Sequence, residues 1–272
     1  MLGYGSSDKP AEPSAYSTKS LCDDLAQLLD RLELQTVVLV GHDWGGMVAW
    51  RFALWHPSRI YKLVAISVPY FPPSQEYRKP SDISPWFGYH EYFADLVSTK
   101  EIENRLDVFL STLFKASSRR PATGDSPQSS QAEETRKKVS ILFKGQIQAL
   151  MTSEENTFEP PPMVISQEEL AEYVLDFTKG GMNGPLSYYR TDRIRHEEEK
   201  DASLSISTNL PVLFIYGTRD PTCIPAYAEG TASHVENLTV VRLEGIGHWV
   251  LLDEPDRVVK EVLAFLNPQS RL

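Results

Sequence analysis

Cysteine is scarce in this chain of 272 residues, and basic side chains are outnumbered by acidic ones. Cys22 and Cys223 are the only two cysteines, so the sequence suggests neither a disulfide framework nor a thiolate metal site. The 27 Lys and Arg residues against 37 Asp and Glu residues give a formal net charge of −10. An acidic chain of this kind argues against nucleic acid or an anionic membrane surface as a partner.

Long apolar runs are also missing. No stretch has the pattern of a signal peptide or is long enough to cross a bilayer, which predicts a soluble protein of a reducing compartment. Hydrophobic residues nevertheless make up 41% of the chain, enough for a buried core. The last three residues, Ser270, Arg271 and Leu272, match the small-basic-leucine type of peroxisomal address. They predict binding to a peroxisomal import receptor, so the expected location is the peroxisome or the cytoplasm.

Four short apolar runs have the character of buried β-strands. They lie at residues 36–41, 61–68, 211–217 and 238–243, and segments with apolar residues at helical spacing accompany them. Continuous rather than alternating apolar strands predict an α/β fold, with a mostly parallel sheet covered by helices on both faces. A last helix over residues 255–266 is expected to begin at its proline.

The long stretch between the second and third of these strands has a different pattern. Apolar residues there fall at helical spacing, as in residues 92–97, and no strand of comparable quality interrupts them. Residues 117–136 are polar and rich in Ser, Pro and Gln, as a flexible loop would be. The predicted organisation is a core in two parts, residues 1–70 and 210–272, with a helical lid of residues 71–209 inserted between them.

The run Gly-His-Asp-Trp-Gly-Gly at residues 41–46 carries the strongest chemical signal. A strand stops and a helix follows, which is the Gly-X-nucleophile-X-Gly pattern of a strand-to-helix elbow. Glycines at 41, 45 and 46 are expected to leave room where the helix crosses the strand end. The central residue is Asp43 instead of the usual Ser, and a carboxylate attacks an sp3 carbon to leave an alkyl ester. The alternative is that Asp43 only caps the following helix.

Two further residues complete a catalytic set. Asp220 follows the third predicted strand and His248 follows the fourth, and ligands bind at the carboxyl ends of such strands. The order nucleophile, acid, histidine is that of the α/β-hydrolase triad. His248 would take a proton from water while Asp220 holds the imidazole in the right tautomer. Asp220 alone could instead be an ordinary turn residue before Pro221.

These motifs resemble the epoxide hydrolases of the α/β-hydrolase fold, and the resemblance extends over nearly the whole chain. It is carried by residues 3–7 (Gly-Tyr-Gly-Ser-Ser), 41–46, 217–220 (Gly-Thr-Arg-Asp) and 247–249 (Gly-His-Trp). The resemblance implies hydrolysis of a small apolar epoxide to a vicinal diol, without a cofactor or a metal. It also implies a substrate site to which Trp44, an oxyanion-hole donor through its N–H, and Trp249 contribute.

Two motifs in the predicted lid resemble the tyrosine motifs of that family. Residues 89–93 assign the ring-opening role to Tyr89, and residues 184–190 point to Tyr189, with its neighbour Tyr188 as the substitute. Two phenol donors would stabilise the alkoxide that forms on the epoxide oxygen and would protonate it. Ordinary lid packing is the alternative for each tyrosine alone.

The resemblance is incomplete at the start of the chain. Family members begin well upstream of Gly3, with several strands and a His-Gly-X-Pro turn, and this sequence contains no His-Gly pair. The expectation is a truncated chain that starts after the fourth strand of the family's sheet and lacks one oxyanion-hole N–H. Its covalent intermediate should then accumulate. Residues 37–40 would form an exposed sheet edge, with poor solubility or homo-oligomers as the consequence.

Two other functions stay open at this level. A haloalkane dehalogenase also uses an Asp nucleophile followed by Trp, but it holds the leaving halide with N–H donors and needs no phenol pair. A non-catalytic remnant of the fold would at most bind apolar molecules. Tyr89 and Tyr189 are the residues that discriminate between the two enzymes.

Overall fold

Four parallel strands form the sheet of this protein in a computed structural model that describes residues 1–116, 141–153 and 158–267. The strands are β1 (Val37–His42), β2 (Ile60–Ile66), β3 (Val212–Gly217) and β4 (Leu238–Leu243). Neighbours in the sheet follow the order β1-β2-β3-β4, and each pairing is parallel. The prediction of a parallel α/β sheet is confirmed.

The apolar strands occupy the positions that their composition requires. Every residue of β3 is buried, and residues 63–66 of β2 are at most 1% exposed, as expected for a sheet covered on both faces. In the described part of the chain β1 lies at one edge of the sheet, and Val40 is 52% exposed. Residues 37–40 therefore lie at a sheet edge as predicted, but only Val40 is exposed, and the other three are half-buried.

Contacts divide the chain into two compact units, and the first comprises Met1, Glu12–Tyr77 and Arg193–Leu272. Its helices are Thr18–Arg31, Trp44–Trp55, most of Asp192–Glu199, Pro225–Ala232, Val250–Asp253 and Pro255–Leu266, with 3₁₀ turns at Pro13–Tyr16 and Pro57–Arg59. The last helix begins at the predicted proline.

Helices cover both faces of the sheet in this first unit. Side chains of a strand alternate between the two faces, and those of β3 follow this rule. Phe214 lies with its ring 6.5 Å from the ring of Trp50, which belongs to the helix Trp44–Trp55. Leu213 and Ile215 instead pack with Val258 of the helix Pro255–Leu266.

The second unit comprises Leu2–Ala11 and Arg78–Asp192. Its helices are Pro80–Ile83, Tyr89–Ala94, Val97–Glu103, Leu106–Leu113, Gln146–Met151, Gln167–Gly180 and Asn183–Ser187, with 3₁₀ turns at Pro85–Phe87 and Tyr188–Thr191. The predicted loop of residues 117–136 and the predicted C-terminal address at residues 270–272 lie outside the described residues. Among the described residues no helix is both long and apolar enough to cross a membrane.

Residues 2–11 belong to the second unit, whereas the sequence-based division assigned residues 1–70 to the core. A Cβ on Gly184 would come within 2.7 Å of the Cα of Gly3, so these two glycines pack backbone against backbone. The hydroxyl of Tyr188 donates to the carbonyl of Leu2 at 2.7 Å. These contacts join segments more than a hundred residues apart, which periodicity in the sequence does not reveal.

Candidate active site

The nucleophile elbow runs from the end of β1 into the helix Trp44–Trp55. Asp43 has φ 52° and ψ −124°, backbone angles that residues other than glycine rarely adopt and that concentrate at active sites. Gly41 permits the turn, because a Cβ at that position would collide with the backbone of Gly45 and Gly46. A Cβ on Gly45 would meet nothing within 4 Å, so the steric demand for a small residue falls on Gly41 and not on Gly45.

Asp43 both caps the helix and faces a histidine. Its Oδ2 accepts a hydrogen bond of 2.6 Å from the N–H of Trp44. One of the two carboxylate oxygens therefore caps the helix, as the alternative interpretation predicted. The other oxygen, Oδ1, lies 3.0 Å from Nε2 of His248, and 40% of the Asp43 side chain is exposed. The capping contact and a role as nucleophile are therefore compatible.

His248 lies between two carboxylates. Its Nε2 faces Oδ1 of Asp43 at 3.0 Å, and its Nδ1 donates to Oδ2 of Asp220 at 2.8 Å. The Asp220 side chain has no exposed area. Because β1, β3 and β4 are parallel, their carboxyl ends lie at one edge of the sheet, and the three predicted residues meet there.

The charges around His248 change the pKa values of the site. Burial acts to lower the pKa of the His248 imidazole, but the attraction and hydrogen bonds of Asp220 and Asp43 outweigh it and hold that pKa well above its usual value. Burial acts to raise the pKa of Asp43, and the hydrogen bond and charge of His248 overcome this and lower it to about 2. Burial and the charge of His248 lower the pKa of His42. These shifts favour a carboxylate at Asp43, an imidazolium at His248 and a neutral His42.

Three polar residues that had no predicted role in the triad hold it in place. His42 Nε2 donates to the carbonyl oxygen of His248 at 3.1 Å, and the hydroxyl of the buried Ser67 donates to the same oxygen at 2.9 Å. Thr222 donates to Oδ1 of Asp220 from its N–H at 2.8 Å and from its hydroxyl at 2.6 Å. The signal that could have found them is a polar residue at or just beyond the carboxyl end of a buried strand.

Two tryptophans predicted to contact substrate lie beside the triad. The ring of Trp249 stands edge-on to His248 at 5.3 Å between centroids, and 5.7 Å from His42. The ring of Trp44 lies 6.0 Å from the guanidinium of Arg195. Their part in substrate binding stays a prediction. Over the described ranges, no group of three or more His, Cys, Asp and Glu side chains has an arrangement that could hold a metal ion.

The predicted tyrosines lie in the second unit. Tyr89 and Tyr189 are both half-buried, and their ring centroids are 5.9 Å apart with an interplanar angle of 70°. Tyr188 is fully buried, and its hydroxyl proton is used in the hydrogen bond to Leu2. The geometry therefore favours Tyr189 over its neighbour as a phenol donor and argues against Tyr188 as the substitute.

Comparison with known proteins agrees with the fold. A family model described as alpha/beta hydrolase fold matches residues 1–255 of this chain. Among solved structures, epoxide hydrolase A from Mycobacterium thermoresistibile has a TM-score of 0.76 at 26% sequence identity, over 98% of this chain and 80% of that one.

Curated relatives refine the class. Epoxide hydrolase A of Mycobacterium tuberculosis is 33% identical over 274 residues, which cover 97% of this chain and 79% of the relative. Bifunctional epoxide hydrolase 2 of Sus scrofa is 28% identical over 278 residues, which cover 100% of this chain and 46% of the relative. The chain belongs to the α/β-hydrolase fold family and, within it, to the epoxide hydrolases. It spans about half the length of the bifunctional relatives that it matches.

Proposed function

We propose that this chain hydrolyses a small apolar epoxide to a vicinal diol through an ester on Asp43. The observation that carries the proposal is the position of His248, which has a carboxylate on each ring nitrogen, at 3.0 Å and 2.8 Å. A carboxylate nucleophile suits attack on an sp3 carbon, and a histidine with its own acid suits activation of water. The relatives named as epoxide hydrolases support this chemistry.

In the first step, Oδ1 of Asp43 attacks one carbon of the epoxide ring. A carbon–oxygen bond forms to Asp43, and the ring carbon–oxygen bond breaks with its electron pair left on the epoxide oxygen. We assign the proton that neutralises this alkoxide to the phenol of Tyr89 or Tyr189. Their rings, 5.9 Å apart, support two donors for one oxygen. Oδ2 of Asp43, held by the Trp44 N–H, becomes the carbonyl oxygen of the ester.

In the second step, the imidazolium of His248 first gives up its proton, which neutralises the phenolate left by the first step. Water then attacks the carbonyl carbon of the ester while the neutral His248 takes a proton from it. Negative charge then develops on Oδ2, which already lies 2.6 Å from the N–H of Trp44, a donor suited to an oxyanion. Collapse breaks the bond from the acyl carbon to the alkyl oxygen, and the diol leaves with the remaining proton of the attacking water. Asp43 regains its carboxylate with one oxygen from water, and His248 is an imidazolium again, as it was before the reaction.

The substrate class and the location are part of the same proposal. A small apolar epoxide suits the aromatic surroundings of the tyrosine pair, where the ring of Phe93 lies 4.9 Å from that of Tyr189. No cofactor or metal enters the scheme. We also propose that the C-terminal residues 270–272 are read by a peroxisomal import receptor, with the cytoplasm as the other location. Homo-oligomers through the β1 edge remain part of this proposal.

A single turnover with styrene oxide in 18O-labelled water tests the ester mechanism. One heavy oxygen should enter the peptide that contains Asp43, because the ester is cleaved at its acyl carbon. Asp43→Asn should abolish diol formation, whereas Asp256→Asn, an exposed carboxylate on the helix Pro255–Leu266, should leave it unchanged. Diol formation that leaves Asp43 unlabelled contradicts the mechanism.

Substitution of both tyrosines tests the alternative that the chain is a haloalkane dehalogenase. The double variant Tyr89→Phe, Tyr189→Phe keeps both rings and removes both phenol protons. Epoxide opening should be lost in this variant, because the alkoxide has no donor. Halide release from a chloroalkane that survives the double substitution would favour the dehalogenase. A folded wild-type chain that reacts with neither compound would favour a non-catalytic remnant.

A further inference from the structure

The carboxylate of Asp220 folds back onto the turn that follows it. Pro221 and Thr222 come next in the chain, and Thr222 donates its N–H at 2.8 Å and its hydroxyl at 2.6 Å to Oδ1 of Asp220. The other oxygen, Oδ2, accepts the hydrogen bond of 2.8 Å from Nδ1 of His248. Each carboxylate oxygen therefore has its own donors, Thr222 for one and His248 for the other.

The orientation of this carboxylate depends on its partners. The last torsion of an Asp side chain has a broad energy profile, so the carboxylate rotates easily when nothing holds it. Asp220 is only 2% exposed, so bulk water does not compete for its oxygens. Pro221 fixes one backbone angle of the turn and supports the return of the Thr222 N–H onto the carboxylate. The donors that bind Oδ1 of Asp220 therefore determine whether Oδ2 is oriented towards His248.

The hydroxyl of Thr222 contacts both members of the acid–histidine pair. It has one proton, and the 2.6 Å distance assigns that proton to Oδ1 of Asp220. The same hydroxyl oxygen lies 3.4 Å from Nδ1 of His248, a longer contact than the 2.8 Å from Nδ1 to Asp220. The hydroxyl therefore lies near the imidazole, while Asp220 remains the acceptor of the Nδ1 proton.

We infer that Thr222 is a positioning residue for the hydrolytic half of the reaction, because its hydroxyl holds the Asp220 carboxylate in the orientation that His248 needs as a base. This inference rests on the proposed function. In that scheme Asp220 and His248 act on water, whereas the attack of Asp43 on the epoxide requires neither a base nor the fixed tautomer. Loss of the hydroxyl should therefore slow ester hydrolysis and leave alkylation of Asp43 unchanged.

Three variants separate the hydroxyl from the rest of the side chain. Thr222→Val replaces the hydroxyl by a methyl group of similar size, and Thr222→Ser keeps the hydroxyl. Thr239→Val makes the same exchange at an exposed position of β4 and serves as the control. Single turnovers with styrene oxide, followed by mass spectrometry of the intact protein, give the rates at which the Asp43 adduct forms and decays. Thermal unfolding of each variant checks that it is folded.

We expect equal rates of adduct formation in all four proteins. Adduct decay should be about tenfold slower in Thr222→Val, the rate change that corresponds to one hydrogen bond to a charged group. Decay in Thr222→Ser and Thr239→Val should match the wild type. Unchanged decay in Thr222→Val would overturn the inference. Equal slowing of both steps, or a Thr222→Ser variant as slow as Thr222→Val, would overturn it as well.

A wild-type chain that forms no adduct contradicts the proposed function and not the role of Thr222. The contact is then tested without turnover, through the NMR signal of the Nδ1 proton of His248. That signal should broaden or vanish by exchange with water in Thr222→Val and persist in Thr222→Ser. An unaltered signal in Thr222→Val would exclude the positioning role.

Discussion

The hydroxyl of Ser67 donates a hydrogen bond of 2.9 Å to the carbonyl oxygen of His248, 181 residues further along the chain. Ser67 is fully buried and has φ 64°, although it is not a glycine. Such a backbone conformation persists only where the surroundings enforce it, and it concentrates at functional sites. The strained residue beyond β2 thus helps to fix the loop that carries the histidine of the triad.

Substitutions at Ser67 separate the contribution of its hydrogen bond to stability from the cost of its strained backbone. Ser67→Ala should lower the free energy of unfolding by about 1 kcal/mol, the usual value of a buried hydrogen bond. Ser67→Gly loses the same bond but accommodates a positive φ, so it should be more stable than Ser67→Ala by about 1 kcal/mol. Urea denaturation measures both values. An alanine variant as stable as the glycine variant would mean that φ at this position relaxes.

The charge of Asp43 should be visible in the titration of His248. Asp43→Asn removes one of the two carboxylates that raise the pKa of His248, so that pKa should fall, while Asp220 still supports it. Histidine ring protons observed by NMR report the change, and the exposed Asp256→Asn serves as the control. A His248 titration that is identical in Asp43→Asn and the wild type would contradict the ion pair.

The same ion pair makes stability depend on pH. The folded-state pKa of His248 is raised, so its contribution is complete below about pH 6.5, the value of an unfolded histidine, and is lost as pH rises through the folded pKa. The pKa of Asp43 is lowered, so its contribution is present above about pH 4 and is lost as pH falls through about 2. The free energy of unfolding should therefore fall at both ends of the range, with a smaller fall on the alkaline side in Asp43→Asn.

Alanine substitutions at two glycines of the elbow should change the free energy of unfolding in opposite directions. A Cβ on Gly41 would overlap the backbone of Gly45, so Gly41→Ala should lower the free energy of unfolding by about 3 kcal/mol. Gly45→Ala meets open space inside the first turn of a helix and should raise stability by up to about 1 kcal/mol. Thermal unfolding of the pair measures the difference, and equal effects would refute the steric account.

Neighbouring tyrosines offer a matched pair in the second unit. Tyr188→Phe leaves the carbonyl of Leu2 without that donor, so it should cost about 1–2 kcal/mol of stability with little effect on the rate of adduct formation. Tyr189→Phe should instead slow adduct formation about 10–100-fold, since a general acid is lost and one phenol remains. Rapid-quench mass spectrometry with styrene oxide gives both rates. Slower ring opening in Tyr188→Phe would restore Tyr188 as the donor.

The sequence predicts those features of the structure that depend on local patterns of residues. Continuous apolar runs identify the four strands, and the parallel order of those strands brings Asp43, Asp220 and His248 to one edge of the sheet. The roles of Ser67 and Thr222 are not predicted, because each depends on where a distant carbonyl or carboxylate oxygen points after folding. The same limit applies to residues 2–11, whose place in the second unit follows from backbone packing between distant glycines.

The ion pair between Asp43 and His248 also sets the order of events in time. Under the proposed mechanism, ester formation converts Asp43 from an anion into a neutral group, and the imidazolium loses one of the two charges that retain its proton. His248 thus becomes able to accept a proton from water only after the epoxide has been captured. Formation of the ester on Asp43 therefore activates the base that later removes this ester, so the two steps can occur only in one order.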